Sequence, residues 1–163
     1  MTVFDFYNML PAFMLVLFRI GGLMLAAPIF SSSTMPVRVK AFLSVAISLA
    51  VFPVIMDKIP AGVTLEAMVV GMLGELAVGV FTGFGVSLLF VGVQVGMQFA
   101  SQQAGLGLAN TFNPMMGAQM STVAQLYYFV SMLLFLAVGG HRALVRTLLD
   151  SFESIPPLGF QIS

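Results

Sequence analysis

The chain has 163 residues, of which 60% are hydrophobic and only 7% charged, with six basic and six acidic side chains that cancel. A soluble domain carries about a quarter charged residues, so this composition excludes an ordinary water-soluble globule and predicts an all-α, multipass membrane protein. Zero net charge offers nothing to nucleic acid, and the absence of Cys removes disulfides, thiolate metal sites and a thiol nucleophile.

The first hydrophobic segment is predicted from Phe6 to Phe30, long enough at about 1.5 Å per residue to cross a ~30 Å hydrocarbon core. It is expected to be retained and not cleaved as a signal peptide, because Asp5 stands where a basic region belongs and Arg19 interrupts the apolar run. Pro11 falls in its opening turns, where a missing N–H is tolerated. Arg19 is the unusual residue: a guanidinium at bilayer centre costs at least about 2.5 kcal/mol, so it must point at protein, water or a carboxylate. It serves either a pathway or subunit contact, or helix pairing and snorkelling. Gly21-Gly22 follows, and Pro28 and Pro36 break the chain around Ser31 to Thr34.

Arg38 and Lys40 open a second segment, predicted from Val39 to Met56 and kinked or stopped by Pro53. After the polar turn Asp57 to Gly62, Thr64 is placed to cap the next helix, with Glu66 in its first turn. The third segment runs from Leu65 to Gln103; as one helix it reaches nearly 60 Å, so it either breaks or projects beyond a bilayer. Gly79-x-x-x-Gly83 and Gly92-x-x-x-Gly96 are signatures of close helix approach. Gln94, Gln98 and Gln102 stand four apart and form one polar stripe. Glu75 is the only charge between Leu73 and Gly140, which makes it, on scarcity, a candidate partner for Arg19.

A loop over 104–122 then carries three Gly, one Pro and three Met and no charge. Water favours charge in a loop, and lipid leaves irregular backbone unpaired, so a neutral, Met-rich loop belongs inside a protein assembly or across a pore. The fourth segment is predicted over 123–153. Ser121, Gln125, Tyr128 and Met132 share one face, and Gly139-Gly140-His141 ends the fully apolar part. From Arg142 to Glu153 the pattern is that of an interfacial or protein-covered amphipathic helix. Arg38 and Lys40 set against Lys58, Arg142 and Arg146 leave the positive-inside rule undecided.

Catalytic, cofactor and metal signals are missing. His141 is the sole His, which excludes a multi-His site; it reads as an end-of-helix residue whose positive charge suits a helix dipole. Gly105-x-Gly107 lacks the Lys and further Gly of a phosphate loop, and no Gly-x-Ser-x-Gly elbow is present. Nothing here predicts an enzyme.

Several motifs, in order, resemble the FliR family of flagellar and type III secretion export-gate proteins. They are Arg19-Ile20-Gly21-Gly22, Ala27-Pro28-Ile29-Phe30, Met35-Pro36-Val37-Arg38-Val39-Lys40, Gln102-Gln103-Ala104-Gly105-Leu106, Phe112-Asn113-Pro114 and Phe135-Leu136-Ala137-Val138-Gly139-Gly140-His141. The resemblance covers nearly the whole chain as one domain over 1–163. It implies an all-α subunit with about four kinked, hairpin-like hydrophobic segments, placed in the bacterial inner membrane at the flagellar basal body. There it joins FliP and FliQ, associates with FlhA and FlhB, contacts membrane lipids, and passes unfolded flagellar substrates without cofactors.

The resemblance further implies that the loop closes the channel as a plug, with Gly105, Gly107, Asn110, Phe112, Asn113, Pro114, Met115, Met116 and Met120 as its residues. Arg19, Glu75, Gln94, Gln98, Gln102, Gly139, Gly140 and His141 are assembly and packing candidates. The family usually has Asp where this chain has Asn113, which puts any carboxylate role there in doubt. FliR chains also continue beyond the segment corresponding to Ser163, so a fragment or shortened product is expected. A small multipass channel or transporter, or a passive membrane scaffold, is the competing reading.

Overall fold

In a computed structural model, residues 3–31, 35–56, 65–105 and 122–157 are described. Among them every element is a helix: α1 Val3–Ala26, α2 Pro28–Ser31, α3 Val37–Ile55, α4 Leu65–Gln103, α5 Thr122–Ala137 and α6 Gly140–Ser154. Three stretches, Met9–Ala26, Val37–Ile55 and Met68–Gln103, are long and apolar enough to cross a membrane, and α5 with α6 makes a fourth if that broken pair is one span.

The helix boundaries follow local chemistry. Helix α1 starts at Val3, earlier than expected, so Pro11 lies inside it and the Tyr7 carbonyl loses its usual donor. The first segment is not continuous to Phe30. It breaks at Ala27, because Pro28 has no N–H to offer Met24 and disfavours helical backbone in the residue before it. A single turn follows, closed by the Phe30 N–H donating to the Ala27 carbonyl at 3.0 Å. Pro36, at φ −58° and ψ 141°, sets the start of α3. Pro53 does not end that helix, which continues to Ile55, since a proline near the C-terminus removes only one hydrogen bond there. Helix α4 is unbroken over 39 residues.

The fourth segment is two helices. Gly139 takes φ +85°, a left-handed conformation that glycine adopts without steric cost, and its carbonyl accepts from the Arg142 N–H at 2.9 Å to begin α6. Thr64 and the turn 57–62 lie outside the described residues, as does the Glu66 side chain.

The chain divides into two compact units, residues 1–85 with 143–163, and residues 86–142. The core of the first is built from Val16, Ile20, Leu23 and Met24 of α1, Ala27 at the break after it, Val51 and Ile55 of α3, and Leu148 and Phe152 of α6. Phe13 packs edge-on against Phe52 at 5.8 Å. Helix α3 turns Ser44, Ser48, Val51 and Ile55 inward. The two hydroxyls donate back to the carbonyls of Lys40 and Ser44 at 2.8 and 2.7 Å, so each is satisfied inside its own helix. On α6, Leu144, Leu148 and Phe152 are buried while Arg146, Asp150 and Glu153 stay exposed, so its apolar face is covered by protein. In the second unit, Phe90 is buried against the rings of Tyr128 and Phe135 at 6.1 and 5.4 Å. Leu88, Leu89, Phe99, Leu126, Leu133 and Val138 of that unit are exposed, the distribution of a surface that meets lipid or protein instead of water.

Candidate functional site

The first unit is organised around a close crossing of α1 and α4. Lipid tails are as apolar as Leu, so membrane helices associate through tight packing and internal polar contacts. Gly22 on α1 and Gly79 and Gly83 on α4 provide the packing. A Cβ at Gly22 would overlap the Leu76 carbonyl and lie 2.9 Å from the Val80 nitrogen. At Gly79 it would overlap the Arg19 carbonyl, and at Gly83 it would lie 2.8 Å from the Leu23 carbonyl oxygen. Backbone therefore meets backbone, and only hydrogen fits between.

Helical periodicity then brings the charges together. Arg19 stands one turn before Gly22, and Glu75 one turn before Gly79, so both project from the meshed faces. The Arg19 Nε donates to Glu75 Oε2. Its Nη1 donates to Ser151 Oγ at 3.2 Å and its Nη2 to the Ile155 carbonyl at 3.0 Å. The guanidinium carbon lies 4.0 Å from the centroid of the Phe152 ring, a cation–π distance. The Ser151 hydroxyl in turn donates to the Leu148 carbonyl at 2.6 Å. Arg19 is 0% and Glu75 3% exposed. Among the described residues no buried side-chain nitrogen or oxygen lacks a partner. Arg19 thus pins α1 to α4 and to the end of α6.

Desolvating two such ions costs several kcal/mol each, and their attraction together with the extra hydrogen bonds offsets this. The cluster joins three helices through buried, mutually satisfied contacts. Its chemistry is that of a fixed structural joint. Among the described residues no three His, Asp or Glu side chains gather to hold a metal.

The second unit carries the polar stripe. Gln94 and Gln98 are half-buried and Gln102 is exposed on α4. Gly105, at φ +73°, closes the helix: the Ala104 and Gly105 N–H groups donate to the Ala100 and Gln102 carbonyls at 3.0 and 3.1 Å, a glycine C-terminal stop. Gly107, Asn110, Phe112, Asn113, Pro114, Met115, Met116 and Met120 lie outside the described residues, as does Ser121. Gln125 is exposed, and Tyr128 and Met132 are half-buried. Gly92 and Gly96 face open space, unlike Gly79 and Gly83. A Cβ at Gly140 would stand 2.5 Å from the Phe135 ring. His141 is exposed in the first turn of α6, not at a helix C-terminus, because the break at Gly139 starts a new helix; the dipole argument for it therefore does not apply.

Sequence reasoning missed Ser151, Phe152 and the Ile155 carbonyl as partners of Arg19. The position of Gly22 one turn after Arg19 was the available signal for the crossing.

Residues 10–162 match the family described as bacterial export proteins, family 1. The chain is similar to the flagellar biosynthetic protein FliR of Pectobacterium carotovorum subsp. carotovorum, 31% identical over 155 residues that make up 93% of this chain and 58% of the relative. It is 28% identical to the protein of the same name from Bacillus subtilis (strain 168), covering 91% of this chain and 57% of the relative. For the Escherichia coli (strain K12) protein the figures are 28%, 86% and 53%. The chain therefore spans a little over half the length of these relatives.

Proposed function

Because the chain belongs to the family of bacterial export proteins, family 1, we propose that it is a membrane subunit of the flagellar type III export gate, the channel through which unfolded flagellar proteins leave the cell. Its partners on this reading are FliP and FliQ within the gate and FlhA and FlhB beside it, in the inner membrane at the basal body. The observation that carries the reading is the family match, which runs from residue 10 to 162 and takes in nearly all of the described helices. The exposed apolar side chains of α4 and α5 support it, being suited to neighbouring subunits and lipid. The loop over 104–122 is the closing plug, in which Met115, Met116 and Met120 reshape around a passing chain because their side chains are unbranched and flexible.

The competing reading, a small-solute channel, needs an accessible charged site at mid-membrane. Arg19 and Glu75 are the residues of choice for it, and they are buried against each other, which counts against that reading. Deleting the gene in its own host is expected to stop secretion of hook and filament subunits, with recovery from a plasmid copy; undiminished secretion in the deletion strain contradicts the proposal.

A further inference from the structure

The outer surface of the first unit changes character from one helix to another. Past its first turn, α3 exposes only apolar residues, among them Phe42, Val45, Leu49 and Val54. The outer face of α6 is the reverse. Arg146, Asp150 and Glu153 follow one another at helical spacing along one exposed stripe, with Thr147 and Ser154 beside them. The opposite face, through Leu144, Leu148 and Phe152, is buried.

Arg19 sets the depth of that stripe. Its guanidinium holds Ser151 Oγ and the Ile155 carbonyl, so the last turns of α6 lie level with it. Arg19 itself sits inside the apolar stretch Met9–Ala26. At about 1.5 Å per residue it is about 10 Å from the Ala26 end and about 15 Å from Met9. Asp150 and Glu153 neighbour the anchored Ser151 and Phe152 in sequence, and therefore bring charge to the middle of a span-length helix.

An interfacial helix lays its apolar face into the membrane surface; α6 lays its own on the protein core at the level of mid-α1. Hydrocarbon at that level does not solvate a carboxylate. A Lys or Arg stem can snorkel toward the headgroups, but the Asp150 carboxylate hangs on a single methylene. A covering subunit is a poor neighbour as well, because the cores of protein interfaces are depleted in Asp and Glu and a buried ion demands a closely matched partner. Water satisfies the stripe without either cost.

We propose that the outer face of α6, through Arg146, Asp150 and Glu153, is a hydrated wall of the export conduit, while α3 faces lipid or apolar protein. The hydration follows from depth and charge; that the water belongs to a conduit rests on the export-gate reading. A passing unfolded chain meets both signs of charge on this wall.

The chain has no Cys, so single cysteines report without background. Arg146→Cys, Asp150→Cys and Leu49→Cys, all at exposed positions, are made in the full protein. Each is treated with a membrane-impermeant maleimide in native membrane fragments open to both sides. Positions 146 and 150 are expected to react. Position 49 is expected to react at least about tenfold more slowly, because the thiolate is the reacting species and apolar surroundings suppress it. A flagellar substrate fused to a stably folded domain, arrested in transit, is expected to abolish labelling at 150. Equal rates at 49 and 150, or no reaction at 150, overturn the hydrated wall. Labelling at 150 that the arrested substrate leaves unchanged overturns its place on the conduit. Affinity purification of each variant scores FliP and FliQ separately. Their absence defeats the gate reading and the conduit with it, whereas their presence with position 150 unlabelled defeats this inference alone.

Discussion

The Arg19 guanidinium and the Glu75 carboxylate, 56 positions apart in the chain, meet in the interior of the first unit with almost no exposure to solvent. Their pairing depends on three glycines that let α1 and α4 touch backbone to backbone. It is completed by Ser151 and the Ile155 carbonyl at the far end of the sequence. A charge that is expensive in a bilayer thus fixes the position of α6 against two helices from the N-terminal half.

Removing one partner leaves the other charge buried and uncompensated, at a cost of about 3–5 kcal/mol. Arg19→Ala and Glu75→Ala are each expected to lower the melting temperature of the detergent-solubilised protein sharply. The double variant Arg19→Met/Glu75→Leu is expected to recover most of the loss. The exchange Arg19→Glu/Glu75→Arg should recover less, because the Ile155 carbonyl would then face a carboxylate. Additive losses in the double apolar variant would show that the two residues do not act as a pair.

The two ends of the glycine pattern differ. Gly79→Ala places a methyl group against the Arg19 carbonyl, a backbone overlap that no rotamer relieves, and is expected to cost about 1–3 kcal/mol or more. Gly85 has open space around it, so Gly85→Ala should gain about 0.5–1 kcal/mol from helix propensity. Thermal melts of the two variants side by side decide this, and similar behaviour would mean that the crossing is not close.

Gly92 and Gly96 are exposed with nothing within 4 Å. Gly92→Ala and Gly96→Ala are therefore expected to leave the stability of the isolated chain unchanged or slightly raised, while reducing the yield of assembled complex if a partner helix packs there. Unchanged assembly in both would assign that face to lipid.

Much of this arrangement can be read from composition and spacing. The helical class and the number of long apolar segments follow from the apolar runs, while the breaks at Ala27 and Gly139 do not. The scarcity of other charges marks Glu75 as a candidate partner for Arg19, and the alternation of Leu with Arg, Asp and Glu marks α6 as amphipathic; that protein covers its apolar face is seen only in the fold. Spacing alone does not separate Gly79-x-x-x-Gly83 from Gly92-x-x-x-Gly96, because both motifs permit close approach and only the second surface decides whether a helix arrives. The hydrogen-bond acceptors for Arg19 were hidden for a similar reason: Ser151 is one of many hydroxyls, and the Ile155 carbonyl has no side-chain signature. The break at Gly139 depends on backbone conformation, so the pair Gly139-Gly140 marked its place without showing that a new helix would start at once.

The proposed plug role of the loop makes an electrical prediction. Met115→Ala, Met116→Ala and Met120→Ala remove bulk where the channel is proposed to close, so gates carrying them are expected to leak ions in planar bilayers while still assembling. Conductance equal to wild type in assembled gates would leave these Met as packing residues.

Co-expression of the tagged protein with FliP and FliQ, followed by affinity purification from membranes and native mass measurement, tests the export-gate assignment most directly. A single complex containing all three proteins is the expected result. Recovery of the protein alone or as a homo-oligomer, with FliP and FliQ in the unbound fraction, would contradict it.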